Sequence, residues 1–441
     1  MAPALWQSLP SMRICVVYDC LFPYTVGGAE RWYRNLAERL AAEGHEVTYI
    51  TLRQWERGAR RGPRPSKRGG RRGLRRSWRG ARRRPDLDVD PRVQVIAVGP
   101  RMALYTESGR RRIAPPLVFG AGVLWHLLRH GRRYEVVHTC AFPYFSLLAA
   151  ALVRPLGGFG LVVDWHEVWS ADYWREYLGP LGGAIGQAVQ RLCARVPQRA
   201  FCFSRLHAAR LLAEGLRGAP TVLEGEYAGS LEPPIPRAAE PVVVFAGRLI
   251  PEKRSPLAVA AFARAAARVE GLRGEFYGDG PEREALAAAI VERGVQDVAS
   301  APGFVEAAAL DGALRRALCM LSTSSREGYG MVVVEASAHA VPSVVVAGAD
   351  NAAVELVQEG VNGFVAADDD PETIAAAIVR VHEAGMALRE STARWFAENA
   401  QRLSLESSLR QVLVGYGSGC TLSSTSGRGS TPGRPVPPGA P

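Results

Sequence analysis

The sequence predicts an α/β protein of two doubly wound parallel-sheet domains, and three observations carry that prediction. Short apolar runs alternate with helical stretches from residue 13 to about 225; a proline-rich linker, LEPPIPRAAEP (231–241), interrupts them; the alternation then resumes to about residue 416. Such alternation is the pattern of helices packed on both faces of a parallel sheet. The expected division is 13–236 and 237–416, with an N-terminal extension 1–12 and a low-complexity tail 417–441. A chain of 441 residues, 47% of them hydrophobic, can bury a large core in more than one domain.

In chain order, RICVVYD (13–19) is the first strand, CLFPYTVGG a loop, and AERWYRNLAERLAAEG an amphipathic helix closed by Gly44. Gly27 and Gly28 sit where the strand passes to its helix. The bare backbone and helix dipole there suit a phosphate, although any tight turn would use the same glycines. HEVTYITL (45–52), VQVIAVG (93–99), YEVVHTC (134–140) and LVVDWHEVW (161–169) supply strands two to five. His138 and His166 fall near carboxyl ends of strands, the edge where such sheets hold ligands. Each could be a general base, a donor to a sugar hydroxyl, or a packed polar residue. Glu167 with Trp165, Trp169, Tyr173 and Trp174 makes that loop read as a sugar platform. Asp86, Asp88 and Asp90 form D-x-D-x-D, which fits a divalent cation or a solvated loop.

The second alternation opens with VVVFAG (242–247), a buried strand that runs through RLIPEKR into a long helix. Arg248 and Lys253 lie in that turn, where a guanidinium fork and an ammonium could neutralise a diphosphate, or stand as two surface charges. GEFYGDGPERE (274–284) is a strand, a glycine turn and a helix start. The densest stretch is SREGYGMVVVEASAHAVPSVVV (325–346), between the apolar runs ALCMLSTS (317–324) and SVVVA (343–347). Three successive valines favour a strand by propensity. The period favours a helix: Met331, Val334, Glu335 and Ala338 fall at i, i+3, i+4 and i+7. Glu327 lies in the turn before that helix and Glu335 in its second turn. Carboxylates can accept sugar hydroxyls while backbone N–H groups hold phosphate, so one cleft could take both ends of a sugar nucleotide. The plain alternative is two solvated glutamates beside a glycine turn. Asp370 before Pro371 is a ready N-cap.

The formal charge of +11 is concentrated. Residues 53–84 hold 15 Lys or Arg against the single acid Glu56, so the remainder of the chain is mildly acidic. Nucleic-acid binding would have to be argued from that segment alone. Within it, 57–84 has no apolar periodicity and is expected to be a disordered insertion, either an RNA or phospholipid anchor or a stretch without selected function. The seven cysteines (Cys15, Cys20, Cys140, Cys193, Cys202, Cys319, Cys420) are odd in number, scattered and without a C-x-x-C pair, which suits reduced thiols in cytoplasm. No secretory leader or membrane span is expected: the run 117–128 is too short, and 142–163 is broken by Arg154, Pro155 and glycines.

Five segments in order, GGAER (27–31), FAGRLIPEK (245–253), YGDGPERE (277–284), REGYGMVVVEASAHAVPSVV (326–345) and VNGFV (361–365), resemble the retaining glycosyltransferases of family four, also called group 1. The resemblance spans about 13–416, apart from 53–90. It implies a GT-B fold, two Rossmann-like domains facing across a cleft, with the donor on the C-terminal one and the acceptor on the N-terminal one. It also implies no metal, and no cofactor besides the nucleotide-sugar co-substrate. By this resemblance Arg248 and Lys253 hold the donor diphosphate and Glu335 the ribose. Glu327 and the backbone of Gly328, Tyr329, Gly330, Met331 and Val332 meet the sugar and phosphate, and Gly28 approaches the diphosphate from the opposite domain. Two positions depart from the family pattern: Arg254 stands where glycine is common, and Cys140 where many members carry a histidine. His166 is then the better acceptor-side histidine. The expected function is sugar transfer to a glycan or lipid-linked acceptor, with peripheral contact at the inner face of the membrane through 110–112 and the apolar run after them. The competing readings are a sugar-nucleotide hydrolase or epimerase of the same fold, and a nucleic-acid-binding protein using the Arg/Gly-rich segment.

Overall fold

The computed structural model describes residues 10–25, 27–55, 87–104, 106 and 111–419. The segment 57–84, Asp86, Arg110 and the tail from 420 on lie outside the described residues.

The first sheet is built from β1 (Arg13–Val17), β2 (Glu46–Thr51), β3 (Gln94–Ala97), β4 (Val136–Cys140), β5 (Gly160–Trp165), β6 (Arg199–Cys202) and β7 (Thr221–Val222), in the order β3-β2-β1-β4-β5-β6-β7. Every pairing is parallel. Its central strands are continuous apolar runs because helices cover both faces: α1 (Gly28–Ala42), α2 (Ala114–His130), α3 (Tyr144–Gly157), α4 (Ala171–Arg195) and α5 (Arg205–Ala213). α1 turns Trp32, Tyr33, Leu36, Ala37 and Leu40 into the core at helical spacing.

The second sheet repeats the plan with β8 (Val242–Ala246), β9 (Arg273–Tyr277), β10 (Ala299–Gly303), β11 (Cys319–Ser322), β13 (Ser343–Val346) and β15 (Gly363–Ala366), in the order β10-β9-β8-β11-β13-β15. Between these, β12 (Arg326–Glu327) and β14 (Asp350–Asn351) pair with each other apart from the main sheet. α6 (Ser255–Ala266), α7 (Arg283–Glu292), α8 (Ala307–Arg316), α9 (Met331–Ser337) and α10 (Pro371–Leu403) surround it. The three valines are helical in α9, which buries Val333, Val334, Ala336 and Ser337; tertiary burial follows the period and overrides propensity. Asp370 caps α10 by accepting from the Glu372 N–H at 3.0 Å.

The last helix, α11 (Leu405–Gly419), departs from the expected division, which kept the chain to 416 with the second domain. It lies against the first sheet. The Tyr416 hydroxyl is 2.6 Å from His138 Nδ1, and the Gly225 N–H donates to Ser408 Oγ at 3.0 Å. An apolar helical stripe needs a core to cover it, and Leu409, Val412, Leu413 and Tyr416 find theirs across the linker, a choice that periodicity does not encode.

Candidate active site

The carboxyl ends of β8 and β11 meet in one seam. After β8 the chain makes a 3-10 turn at Pro251–Lys253 and passes through Arg254, whose backbone is left-handed (φ 50, ψ 48). Glycine adopts that conformation without strain, which fits the glycine that the family resemblance implies at this position. Arg254 tolerates it because its guanidinium is fixed at both ends, donating to the Thr323 carbonyl at 2.7 Å and pairing with Asp369 at 2.8 Å. The Ser325 N–H donates to the Glu252 carbonyl at 2.8 Å, joining this turn to the one after β11.

Lys253 and Glu327 form an ion pair across the seam, and the Ser324 hydroxyl donates to the same Glu327 oxygen at 2.7 Å. Gly330 (φ 109, ψ 48) caps α9 in a conformation open to glycine; a Cβ there would also lie 2.6 Å from Ala353 Cβ. The Tyr329 side chain turns away and donates to the Glu224 carbonyl at 2.6 Å, so only its backbone faces the turn. Met331 and Val332 open α9, where helical N–H groups have no intrahelical acceptor. Arg248, in the turn after β8, is exposed.

Opposite stands the start of α1. Gly28 meets no atom within 4 Å of where a Cβ would stand, so that helix opens onto free space. Glu30 is buried, and burial pushes its carboxyl above the ordinary range against the opposing influence of Arg248 from the other domain. Burial likewise raises Glu335, with Arg31 of α1 opposing it. Arg248 and Glu30, and Arg31 and Glu335, are thus near enough across the domain boundary for their charges to act on each other. The structure thus gathers Gly28, Arg248, Lys253, Glu327, the 328–332 turn and Glu335 along the facing edges of the two sheets.

His166 joins the same seam, since a Cβ on Gly328 would lie 2.6 Å from the His166 carbonyl oxygen. Its ring stacks on Phe203 at 4.2 Å, and Nδ1 lies 3.9 Å from Glu226 Oε1. Burial is the main cause that lowers it to about 4, so the imidazole is neutral at neutral pH, and its buried Nε2 has no hydrogen-bond partner. His138 is a packed residue instead, 0% exposed, with Asp164 on Nε2 at 2.8 Å and Tyr416 on Nδ1.

The sugar-platform reading of the 165–174 loop does not survive. Trp165 and Trp174 are buried, and Trp169 and Tyr173 are covered by the Arg326 guanidinium at 5.0 and 4.4 Å. Arg111, expected on the surface, turns inward to pair with buried Asp19. Asp90 pairs with Arg92 at 2.7 Å and Asp88 with Arg34 at 3.6 Å, as in a solvated loop. Sequence reasoning missed Glu226 and Arg326, whose partners come from distant segments.

A family model described as Glycosyl transferases group 1 matches residues 233–402, and one described as Glycosyl transferase 4-like domain matches 27–223. The chain thus carries a glycosyltransferase group 1 domain preceded by a glycosyl transferase 4-like domain. Among solved structures, this glycosyltransferase is similar to a sucrose-phosphate synthase from Thermosynechococcus elongatus (TM-score 0.68, 17% identity, 92% of this chain and 98% of that one). It is also similar to Anabaena HepE in complex with UDP (TM-score 0.63, 17% identity, 92% of this chain and 100% of that one). These likenesses bear out the GT-B fold. A curated relative, an exopolysaccharide phosphotransferase of Streptomyces coelicolor, is 31% identical over 142 residues, 32% of this chain. The chain spans about 14% of that relative's length.

Proposed function

We propose that this glycosyltransferase moves a sugar from a nucleoside-diphosphate donor to a glycan or lipid-linked acceptor, with retention at the anomeric carbon as the family resemblance implies. The observation that carries the reading is the Lys253–Glu327 pair at the carboxyl ends of β8 and β11, with exposed Arg248 in the turn after β8 and the open start of α1 opposite. As the bond between the anomeric carbon and the phosphate oxygen breaks, negative charge grows on the departing diphosphate. Arg248 and Lys253 stabilise it where it forms, which lowers the barrier more than it tightens ground-state binding. Glu335, half-buried on α9, takes the ribose hydroxyls; Glu327 and the backbone of 328–332 take the sugar. His166 offers its unpartnered Nε2 to an acceptor hydroxyl. HepE binds UDP and UDP-glucose by the titles of its structures, which makes UDP-sugars the first donors to test here. Among the described residues no helix is long and apolar enough to cross a membrane, and a lipid-linked acceptor would be met by peripheral contact through the exposed stripe of α2.

The test is calorimetric titration with a panel of UDP-, GDP- and dTDP-sugars, followed by turnover of the donor that binds. Lys253→Ala and Arg248→Ala each lower kcat/KM about ten- to a hundred-fold with the circular dichroism spectrum unchanged, the cost of one charge-assisted hydrogen bond. Wild-type turnover in both variants would remove these cations from the site.

A further inference from the structure

Two adjacent residues of the β8 turn pair crosswise with two adjacent residues of β12. Lys253 pairs with Glu327, and Glu252 Oε1 accepts from Arg326 Nη2 at 3.3 Å. Successive strand residues point to opposite sides, so the first pair faces the cleft assigned to the donor and the second faces the first domain. There Arg326 enters a built cage. Nη1 pairs with Glu167 of the loop after β5, and the guanidinium lies over Trp169 and Tyr173. The cage walls are themselves tied. The Trp169 indole N–H donates to Glu167 Oε2 at 2.8 Å, and the Tyr173 hydroxyl donates to Glu252 Oε1 at 2.9 Å. Burial opposes ionisation of Glu167, but Arg326 and the indole N–H outweigh it and hold the carboxyl below its ordinary range. Only 15% of the Arg326 side chain is exposed.

β12 has two residues, is paired only with β14, and receives no support from the six-stranded sheet. Besides that backbone pairing and the Ser325 N–H bond to the Glu252 carbonyl, its orientation is fixed by the side chains of Arg326 and Glu327. An arginine held by two carboxylates and two aromatic faces is a far stronger anchor than a surface ion pair, because the planar fork loses little freedom and the charge is shielded from water.

We propose that Arg326 is a positioning residue that couples closure of the two domains to placement of the Lys253–Glu327 pair. With Glu167, Trp169 and Tyr173 engaged, β12 is fixed and Glu327 faces Lys253. With the first domain swung away, Arg326 loses three of its four partners and the crosswise pairing loosens. This inference rests on the reading that Lys253 and Glu327 face the donor.

The experiment compares wild type with Arg326→Ala, Arg326→Lys, Glu167→Gln and the double variant Arg326→Ala/Glu167→Gln. Three readouts are used: small-angle X-ray scattering, UDP affinity by calorimetry, and steady-state turnover of UDP-glucose or whichever panel donor is used. Arg326→Ala and Glu167→Gln each enlarge the radius of gyration and lower kcat about ten-fold or more while UDP affinity holds, because the loss is of placement rather than of nucleotide contacts. The double variant falls no further than the worse single one, since both remove the same interaction. Arg326→Lys, with charge but no fork, recovers part of kcat and shows that the alanine loss is not misfolding. An unchanged radius of gyration in Arg326→Ala, or additive losses in the double variant, would overturn the proposal. Should scattering show opening while the wild type binds no nucleotide of the panel, the coupling to closure stands and the donor reading fails.

Discussion

His166 Nδ1 and Glu226 Oε1 face each other 3.9 Å apart beside the 328–330 turn, and burial drives their affinities for protons in opposite directions. It lowers the imidazole to about 4 and raises the carboxyl to about 8, with Asp164 adding to the latter. At neutral pH the proton therefore sits on Glu226. An unfolded carboxyl titrates near 4.3. The folded state holds this proton more tightly, so the stability it contributes is full below that value and is lost as pH rises through about 8. Each pH unit crossed in that window costs up to about 1.4 kcal/mol. His166 has the reverse sign and loses stability only as pH falls from about 6.5 toward 4. Thermal melts of Glu226→Gln from pH 6 to 9 are thus expected to be flatter than wild type, with the higher Tm at pH 9. Parallel curves would show that Glu226 does not titrate there. Lys253 and Glu327 were legible in the sequence because strand-end turns announce themselves through glycine and apolar runs. Arg326 was not: its Glu167 partner is 159 residues away, and a lone arginine beside a glutamate reads as an exposed charge.

The two glycines of the turn between β12 and α9 serve different ends. Gly330 is needed for its left-handed backbone, whereas Gly328 has no such requirement and is small because the other domain touches it. A Cβ at 328 would stand 2.6 Å from the His166 carbonyl oxygen and 3.1 Å from Glu167 Cγ. Gly328→Ala is therefore expected to leave each domain folded, with Tm close to wild type, while it props the seam open and lowers kcat about ten-fold or more, as loss of a near-attack arrangement does. Full activity in this variant would mean that the contact is not made during turnover. At this scale the strands, α1 and α9 follow from period and punctuation. β12, β14 and the path of α11 do not, because two-residue strands carry no periodic signal and a helical stripe names no partner.

Across the whole molecule, the two domains meet through the loops at the carboxyl ends of their strands, with α4 and α5 also touching the second domain, while α2 keeps one side to solvent. On α2 the residues Leu117, Trp125 and Leu128 are exposed at helical spacing, with Ile113 just before the helix. Arg129 lies over the Trp125 ring at 3.2 Å, and Arg132 and Arg133 follow, all three exposed. The expected basic anchor at 110–112 has to be moved, since Arg111 is committed to Asp19 and Arg110 lies outside the described residues. We propose the arginines at the C-terminal end of α2 in its place. An apolar stripe bordered by arginine is the composition that rests on anionic lipid, where each cation near the surface contributes about 1 kcal/mol. We expect the protein to co-sediment with vesicles containing phosphatidylserine and not with pure phosphatidylcholine. Retention should fall as salt shortens the reach of the charges, and Arg129→Gln/Arg132→Gln/Arg133→Gln should weaken it by up to about 3 kcal/mol, or roughly a hundred-fold. Trp125→Ser/Leu128→Ser tests the apolar half separately: it lowers binding to anionic vesicles even at low salt, where the arginines act at full strength. Failure of the wild type to sediment with anionic vesicles at low salt would end the peripheral-contact proposal while leaving the cleft chemistry untouched, because α2 contributes none of the cleft residues.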